Sequence, residues 1–530
     1  MSSYQNIRLT SLYEPRIEFI KRQLESLLTV VELESGGQVV PIDGFRLRRL
    51  KDWLSPSTGN PEEVFQHAAI RCDCDCIFCY NRGNPPGLGR DNARAVEEEF
   101  QEMMARVEHF HPRDSLFPCL GDTYEALIHP HIIDVLSALR RRTGQPFRIT
   151  TNGRALTRDM VAALAALRPV YLYLSLNSAS AERRRRLMGD PTPQVAIDSL
   201  PLLQEAAIPY AVLVCPWPLG SLEETLDDME RTVAYAQGHG AHLVEINLPG
   251  YTRFFSSEEL FDLDEVWSAA VARVRAMRGR MAVPIVTMPS MYEENLGRGR
   301  KNLPGIIGVV AGSPAQRAGC AHGDVIRAVN GIPVTSRPQA RDLLSLLQRS
   351  SNRGAAITVE RGGQVLELPL DLEDTSYPYD RETDTHLGVV FLGTGLRTSY
   401  LEQLKGLIER HGARRCLFLS SALVRPTFEQ CLAESTLFAD PGLTIDIQVP
   451  PNRFFGGNVF MGDLLVVQDF IDFLKDYLAR GGPRPDLVVI PSSPFNLGGW
   501  GRDLTGRVYL DIEREVGIPV ALLECATIYD

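Results

Sequence analysis

Short apolar runs of β-type residues alternate with helical segments from about residue 65 to about residue 295. The clearest runs are 147–151, 170–176, 210–215 and 243–248, and helical segments such as 156–167 and 222–237 lie between them. Strand–helix units of this length predict parallel strands covered by helices, either as an open sheet or as a full or partial barrel. Because the loops at the carboxyl ends of such strands form binding sites, we expect functional residues where these runs end.

The composition is typical of a globular protein with several domains. The 530 residues allow three or four domains of about 150 residues each, and 44% of the residues are hydrophobic. The net charge of −11 argues against a nucleic-acid partner or an anionic membrane surface, because phosphate groups require a concentrated basic surface. We expect the one dense basic run, at 183–186, to lie on a solvated helix face.

The sequence shows no feature that predicts membrane insertion or export. The first 15 residues are polar, and no apolar run approaches the roughly 20 residues that a membrane helix needs. We therefore expect a cytoplasmic protein whose ten cysteines stay reduced, so that clustered cysteines indicate a metal or a catalytic site rather than disulfides.

The sequence pattern changes near residue 302, where predicted short strands and turns follow one another. The turn motifs include Gly312-Ser313-Pro314, Gly323-Asp324 and Asn330-Gly331, followed by a predicted helix at 339–348 and two strands around a turn at 361–363. This order resembles a PDZ domain of the bacterial protease-associated kind, over 300–372. The resemblance implies a small, mainly-β domain that captures a C-terminal peptide, with 303–306 as the expected binding loop.

The remaining regions flank these two units. Residues 1–60 form an N-terminal leader region, and an acidic linker runs from 371 to 384. Strands and helices alternate again over 385–530, with predicted strands at 387–392, 416–419, 444–449 and 487–490. This pattern predicts a second, C-terminal α/β domain.

Four cysteines lie within eight residues: Cys72, Cys74, Cys76 and Cys79. They follow an apolar strand predicted at 65–70. Thiolates are the soft ligands that select zinc and iron–sulfur clusters, and a compact loop with three cysteines can wrap one face of a cubane. A structural zinc site would need four ligands in two separated pairs, and the sequence offers no second pair. Simple burial of the thiols is a third reading, which the density of the cluster disfavours.

The spacing Cys-x3-Cys-x2-Cys, with Phe78 before the last cysteine, resembles the signature of the radical S-adenosylmethionine (SAM) superfamily. The resemblance implies that Cys72, Cys76 and Cys79 hold a 4Fe-4S cluster and that Cys74 is a surplus thiol. It also implies a (β/α) partial barrel, over 61–298. In that superfamily, one electron cleaves S-adenosylmethionine to a 5′-deoxyadenosyl radical, which abstracts hydrogen from the substrate.

Further motifs follow in the order that this superfamily requires. A glycine loop at 120–125 resembles the superfamily's Gly-Gly-Glu-Pro motif, although it reads Gly-Asp-Thr here, and Thr-Asn-Gly and Ser-Leu-Asn end two later runs. Each motif alone is weak, because such residues are common in turns. Together they predict S-adenosylmethionine-binding residues, namely Gly121, Asp122, Thr123, Asn152, Ser175 and Asn177.

The segments 451–459, 462–465 and 490–493 extend the resemblance to nearly the whole chain. They are similar to a C-terminal domain of unassigned function in bacterial proteins that join a radical SAM barrel to a PDZ module. In those relatives the PDZ module usually comes first, whereas here it lies between the two α/β blocks. Asn452, Arg453, Asn458 and Asp463 are candidates for a substrate pocket, and a glycine turn with structural aromatic residues is the equally weighted alternative.

Two classes of function follow from these patterns. The first is a radical SAM oxidoreductase or transferase that works anaerobically and abstracts hydrogen from an unidentified small molecule, peptide or protein. A one-electron donor such as flavodoxin or ferredoxin would be its partner. The alternative is a non-catalytic iron–sulfur protein for electron transfer or assembly, with a PDZ module that binds peptides.

Overall fold

The computed structural model describes residues 41–42, 45–46, 61–65, 72–83, 85, 95–108, 110, 125–349, 353–373, 385–459, 462–497 and 502–525. Within the leader region, the described residues form two short antiparallel strands, β1 (Pro41–Ile42) and β2 (Phe45–Arg46). Helix α1 (Glu62–Phe65) ends where the sequence predicts an apolar strand, so the first residue of that strand is helical. The rest of the predicted strand, 66–70, lies outside the described residues.

A five-stranded parallel sheet forms the centre of the first α/β unit, as the alternating pattern predicts. Its strands are hydrogen-bonded in sequence order, and adjacent strands are parallel. They are β3 (Phe147–Thr151), β4 (Val170–Ser175), β5 (Tyr210–Val214), β6 (Leu243–Asn247) and β7 (Ile285–Met288). Strands β3 to β6 match the four predicted runs to within one residue at each end, and the α/β fold class is confirmed.

Helices cover one face of this sheet. They are α2 (Val96–Glu108), α3 (Ile132–Arg140), α4 (Arg158–Ala166), α5 (Ala181–Met188), α6 (Pro193–Glu205), α7 (Leu222–Gly238), α8 (Leu263–Arg278) and α9 (Ser290–Leu296). Their apolar stripes and the outward-facing residues of the strands form the largest core of the protein. Side chains fix the helix starts: Ser221 and Glu224 form a capping box at α7, and Thr157 caps α4.

The PDZ region contains a four-stranded antiparallel sheet and a separate two-stranded ribbon. Its elements are β8 (Ile306–Val309), α10 (Pro314–Arg317), β9 (Val325–Val329), β10 (Ile332–Pro333), α11 (Arg337–Arg349), β11 (Gly354–Arg361) and β12 (Gln364–Asp371). Asn330 and Gly331 both have positive φ at the β9–β10 hairpin, which confirms the predicted turn.

Strand β13 (Val389–Phe391) pairs across the boundary that the sequence predicts between the PDZ region and the C-terminal domain. The sequence assigned 387–392 to the C-terminal α/β block, but β13 pairs antiparallel with β8 of the PDZ region. Val389 and Phe391 pack in the same core as Leu344 of α11. An apolar run of this length does not reveal its partner, because strand pairing is a long-range choice that local sequence does not encode.

The β8–β13 ribbon covers the other face of the parallel sheet. Tyr171 and Tyr173 of β4 pack with Val390 of β13 and Val310, which follows β8, together with residues of β5, β6 and β7. Gly308 approaches so closely that a Cβ there would lie 2.7 Å from Cβ of Pro284. The PDZ ribbon therefore packs on this face of the sheet, and the site described below lies at the carboxyl ends of the strands.

The C-terminal domain is a parallel sheet of order β15-β14-β16-β17 with helices on both faces. Its elements are α12 (Ser399–His411), β14 (Arg415–Leu419), α13 (Arg425–Glu434), β15 (Thr444–Gln448), α14 (Val467–Ala479), β16 (Leu487–Pro491), α15 (Ser493–Leu497), α16 (Leu510–Val516) and β17 (Val520–Leu523). Helices α12 and α13 pack on one face, and α14 and α16 pack on the other. This confirms the predicted second α/β unit. Among the described helices, none is long and apolar enough to cross a membrane.

Candidate functional site

The cysteine loop lies against the carboxyl-terminal end of α5. The N–H groups of Asp75 and Ile77 donate to the carbonyl oxygens of Met188 and Leu187 at 2.8 and 2.9 Å. Gly189, with φ of +59°, follows α5, and a Cβ there would lie 2.9 Å from Cβ of Asp75. A larger residue at 189 would push the loop away, so the glycine allows the cysteine loop to approach the helix end.

The four thiols of the loop lie close enough to influence one another electrostatically. Burial, followed by the neighbouring Cys79 and Cys72, raises the pKa of Cys76 to about 12. Burial also raises the pKa of Cys72 and of Cys74. Each cysteine that the structure describes is a free thiol. Within the same part of the chain, no three cysteine, histidine, aspartate or glutamate side chains converge as ligands of a single metal ion would.

Arg184 corrects the expectation that 183–186 lies on a solvated helix face. Arg184 is fully buried, while Arg185 and Arg186 are exposed. Its guanidinium donates to Asp190 at 2.8 Å, to the carbonyl oxygens of Ser175 and Leu176, and to the carbonyl oxygen of Asn152. It therefore ties the ends of β3 and β4 together beneath the cysteine loop. Four consecutive arginines gave no signal for this role, because the sequence alone does not show which of them faces the interior of the protein.

Arg183 is also not a simple solvated residue, because its side chain binds neighbouring elements. Its guanidinium donates to the Leu219 carbonyl oxygen at 2.9 Å and to the Thr225 hydroxyl at 2.8 Å, and it pairs with Asp228 at 3.3 Å. These contacts attach α5 to the loop after β5 and to the start of α7. The helix that supports the cysteine loop is thus fixed from two sides.

Asn152, which ends β3, contacts the cysteine loop directly. Its side-chain nitrogen donates to Asp73 at 2.7 Å and lies 3.8 Å from the sulfur of Cys72. Arg154 adds an ion pair to Asp73 at 2.9 Å. The structure therefore brings one predicted S-adenosylmethionine ligand, Asn152, together with one predicted cluster ligand, Cys72.

Glu125 joins this group from the opposite side. Its carboxylate accepts a hydrogen bond from the Thr151 hydroxyl at 2.8 Å and one from the Asn152 N–H at 2.5 Å. Burial raises the pKa of Glu125 to about 7. The sequence placed Glu125 at the end of the glycine motif without giving it a role. The predicted ligands Gly121, Asp122 and Thr123, and Cys119 before them, lie outside the described residues.

Ser175 and Asn177 lie at the end of β4, on the same side of the sheet as Arg184. The Asn177 side-chain oxygen accepts from the N–H of Cys215 at 2.9 Å, and its nitrogen donates to the Ser175 carbonyl oxygen at 3.3 Å and lies 3.3 Å from the sulfur of Met188. These contacts bridge β4, β5 and α5. The predicted role of Asn177 as a cofactor ligand stays a prediction, and its positioning role is directly visible.

Aromatic side chains form a wall beside the cysteines. Trp217 contacts Phe78, Phe255 and Phe261 with ring centroids 6.5, 5.9 and 5.2 Å apart, and Tyr251 packs on Phe261 at 5.4 Å. Cys74, Cys76 and Cys215 pack against the same cluster. Burial raises the pKa of Cys215 to about 12, and its thiol influences that of Cys76. Cys215 therefore reaches the candidate site as a partly buried, neutral thiol.

The loop 452–458 of the C-terminal domain docks on the segment that follows β6. The N–H of Arg253 donates to the Phe455 carbonyl oxygen at 2.7 Å, the N–H of Tyr251 donates to Oδ1 of Asn458 at 2.7 Å, and the N–H of Asn458 returns a bond to the Tyr251 carbonyl oxygen at 3.0 Å. On its other side, the Thr252 hydroxyl donates to the carbonyl oxygen of Gly83 at 2.6 Å. The segment 251–253 thus connects the C-terminal domain to the turn after the cysteine loop.

Asp469 at the start of α14 shapes this docking loop. Its carboxylate accepts hydrogen bonds from the N–H groups of Arg453 and Phe454 at 3.0 and 3.1 Å. The Asn452 side chain accepts from the Phe455 N–H, while the Arg453 guanidinium pairs with Asp476 at the surface. Of the four predicted pocket residues, Asn458 contacts the barrel, Asn452 holds the loop, Arg453 pairs at the surface and Asp463 is buried in its own domain. The glycine-turn alternative fits Asn452 and Arg453 better than a substrate pocket does.

Comparison with solved structures finds chains of Streptococcus suis SuiB. The SuiB structure bound to S-adenosylmethionine matches with a TM-score of 0.31 and 15% identity, over 42% of this chain and 49% of that one. The SuiB structure bound to its precursor peptide SuiA matches with a TM-score of 0.32 and 14% identity, over 53% of this chain and 63% of that one. The chain therefore spans less than two thirds of the length of these SuiB chains. No curated protein matches.

Two family models match the chain. The model of the radical SAM superfamily matches residues 69–236, which include the cysteine loop and the sheet from β3 to β5. A PDZ domain model matches residues 305–361, from the start of β8 to the end of β11. The radical SAM superfamily implies a 4Fe-4S cluster and S-adenosylmethionine as cofactors. The chain therefore carries a radical SAM domain and a PDZ domain.

Proposed function

We propose that the chain is a radical SAM enzyme in which Cys72, Cys76 and Cys79 hold the 4Fe-4S cluster and S-adenosylmethionine lies along the ends of β3 and β4. The observation that carries this proposal is the attachment of the cysteine loop to those strand ends through Asn152, Arg184 and the end of α5. The carboxyl edge of a parallel sheet is where such folds bind cofactors. We place the enzyme in the cytoplasm, where a flavodoxin or a ferredoxin would supply the electron.

The residues present fit the cluster by their chemistry. Cys72, Cys76 and Cys79 are soft thiol ligands on one short loop, and they would hold the cluster. When bound, the cluster and S-adenosylmethionine supply the hydrogen-abstraction chemistry. The chain itself positions the thiol of Cys72 through Asn152 and fixes the strand ends through Arg184. Cys74 packs on the aromatic wall and is left over as a fourth thiol.

The substrate would enter beside the aromatic wall, under the docked loop 452–458. Trp217 and Tyr251 exclude water from this side of the cysteines, and the C-terminal domain closes the segment 251–253. The PDZ domain supports a peptide or protein as the substrate, because PDZ grooves bind peptide strands. A small-molecule substrate could pack against the same aromatic wall. The test below therefore measures S-adenosylmethionine cleavage, which does not require the substrate to be known.

The test is cleavage of S-adenosylmethionine to 5′-deoxyadenosine by the anaerobically reconstituted full chain with a chemical reductant. We expect Cys76→Ala to lose the brown colour, the iron and the cleavage activity. Cys74→Ala, in the same loop, is the matched control and should keep all three. A wild-type protein whose cluster reduces normally without forming 5′-deoxyadenosine would favour a non-catalytic iron–sulfur protein. Loss of iron in Cys74→Ala equal to that in Cys76→Ala would overturn the assignment of ligands.

A further inference from the structure

A cavity of about 190 Å³, which none of the cysteines of the 72–79 loop lines, lies where the C-terminal domain meets the PDZ region and α9. Its floor is apolar and is built largely by the C-terminal domain, with Phe418, Val424, Phe428 and Leu523 among its lining residues. The PDZ helix α11 contributes Arg341. The cavity is smaller than the roughly 300–1,000 Å³ of pockets for drug-sized ligands, so it suits a small molecule.

The cavity lies at the point of the C-terminal sheet where a binding site is expected on topological grounds. Strands β14 and β16 are neighbours, yet β14 is followed by α13 on one face and β16 by α16 on the other. In open parallel sheets, ligands bind outside the carboxyl ends of two strands whose connections leave in opposite directions. Ser420, immediately after β14, and Pro491, at the end of β16, both line the cavity.

The charges around the cavity favour an anion. Arg341 and Arg397 line it, and none of the described lining residues is an aspartate or a glutamate. Arg397 pairs with both carboxylate oxygens of Asp342, at 2.6 and 3.0 Å, so Asp342 balances its charge. Arg341, which donates to the carbonyl oxygen of Thr394 at 3.2 Å, is therefore the guanidinium expected to meet the anion. Tyr400 in the first turn of α12 and Val424, the residue before α13, line the cavity, and the amino-terminal ends of these helices carry partial positive charge.

Ser420 provides an independent indication of a ligand. It is 2% exposed and lines the cavity, and its hydroxyl makes no hydrogen bond among the described residues. Its backbone N–H is already bound to the Gln448 carbonyl oxygen at 2.9 Å. A hydroxyl that lines a cavity is available to bond a polar group of a ligand there.

We propose that this cavity binds a small organic anion with an apolar body, such as a short-chain or aryl carboxylate. The carboxylate faces Arg341 and the Ser420 hydroxyl, and the apolar body lies on Phe418, Val424 and Leu523. The site joins the PDZ helix to the C-terminal sheet, so occupancy links these two units. It is separate from the cysteine loop and independent of S-adenosylmethionine cleavage.

The test is binding of phenylacetate and hexanoate to the purified, anaerobically reconstituted full chain, measured by equilibrium dialysis and by the midpoint of thermal unfolding. We expect saturable binding of at least one acid, with a rise of the midpoint. Phenylacetamide and hexanamide, which have the same shape without the charge, should bind about tenfold more weakly or worse. Binding of both acids no better than that of the amides would overturn the proposal.

Variants locate the binding in the cavity. Arg341→Met should weaken acid binding about tenfold or more, and Val424→Trp should abolish it by filling the space. Arg298→Met removes an exposed arginine outside the cavity and is the matched control, with binding equal to wild type. Dialysis well below the unfolding midpoint of each variant separates lost binding from lost folding. Wild-type binding in Arg341→Met and Val424→Trp, or inorganic phosphate binding as tightly as the acids, contradicts the proposal.

Discussion

The guanidinium of Arg184 donates to the carboxylate of Asp190 at 2.8 Å, and both side chains are completely buried. The same guanidinium also binds three backbone carbonyl oxygens at the ends of β3 and β4. A buried ion pair is tolerated when its remaining donors are satisfied. Here both terminal nitrogens of the guanidinium donate to backbone carbonyl oxygens at the edge of the sheet that carries the candidate site. The pair therefore stabilises the strand ends that hold Asn152 and the cysteine loop.

Replacing Arg184 with glutamine should lower the free energy of unfolding of the apoprotein by about 3 kcal/mol, because the buried Asp190 would keep only Arg154, 3.4 Å away, as a cationic partner. The iron content after reconstitution should fall with it, since the cysteine loop loses its support. Urea unfolding and iron analysis check both effects. Arg185→Gln, on the exposed face of the same helix, should change the unfolding free energy by less than about 0.5 kcal/mol. Equal stability of the two variants contradicts the structural role of Arg184.

Much of this architecture could be predicted from local sequence, because strand and helix periods are local properties. The runs that became β3 to β6, the Asn330-Gly331 hairpin and the cysteine loop are examples. Features set by long-range contacts could not be predicted. The pairing of β13 with β8 and the burial of Arg184 depend on which surface each segment meets after folding. The docking of Asn458 on Tyr251 joins residues that are 207 positions apart.

Gly457→Ala should detach the docking loop from the barrel. Gly457 has φ of +62°, and a Cβ there would lie 2.2 Å from the Tyr251 carbonyl oxygen, so the loop must move. We expect hydrogen exchange of the Arg253 and Asn458 amides to become about tenfold faster or more, equivalent to about 1.4 kcal/mol of lost local stability.

Gly481→Ala is the matched control for this change. It has a similar φ of +79°, and an added Cβ would meet nothing within 4 Å, so it introduces backbone strain without a clash. Exchange at 251–253 should stay at the wild-type rate in this variant. Unchanged exchange at Arg253 in Gly457→Ala shows that the loop accommodates the methyl group, which contradicts a tight interface.

Gly308→Ala should separate the PDZ ribbon from the parallel sheet. The added Cβ would lie 2.7 Å from Cβ and 2.9 Å from Cα of Pro284, and overpacking of this kind costs about 1–3 kcal/mol of unfolding free energy. Gly305→Ala, three residues earlier with nothing within 4 Å of its Cβ, is the control and should be close to wild type. Chemical denaturation of the full chain measures the difference. A Gly308→Ala protein as stable as Gly305→Ala means that the ribbon is free to shift on the sheet.

His242, which precedes β6, should make the protein less stable in mild acid. Burial lowers the pKa of His242 below its ordinary value of 6.5, and its Nδ1 is buried without a hydrogen-bond partner among the residues that the structure describes. The unfolded chain therefore binds a proton at a higher pH than the folded chain does. The stability that the neutral ring contributes is fully present above pH 6.5 and is lost as the pH falls through the lowered pKa.

Urea unfolding of the apoprotein across this range, with wild type and His242→Phe compared at each pH, tests the assignment. We expect the wild-type unfolding free energy to fall more steeply with acid than that of His242→Phe, which keeps a ring against Tyr171 without a titrating group. If His242→Phe shows the wild-type slope instead, then the acid sensitivity arises from other groups and the ring of His242 does not stay neutral in the folded protein.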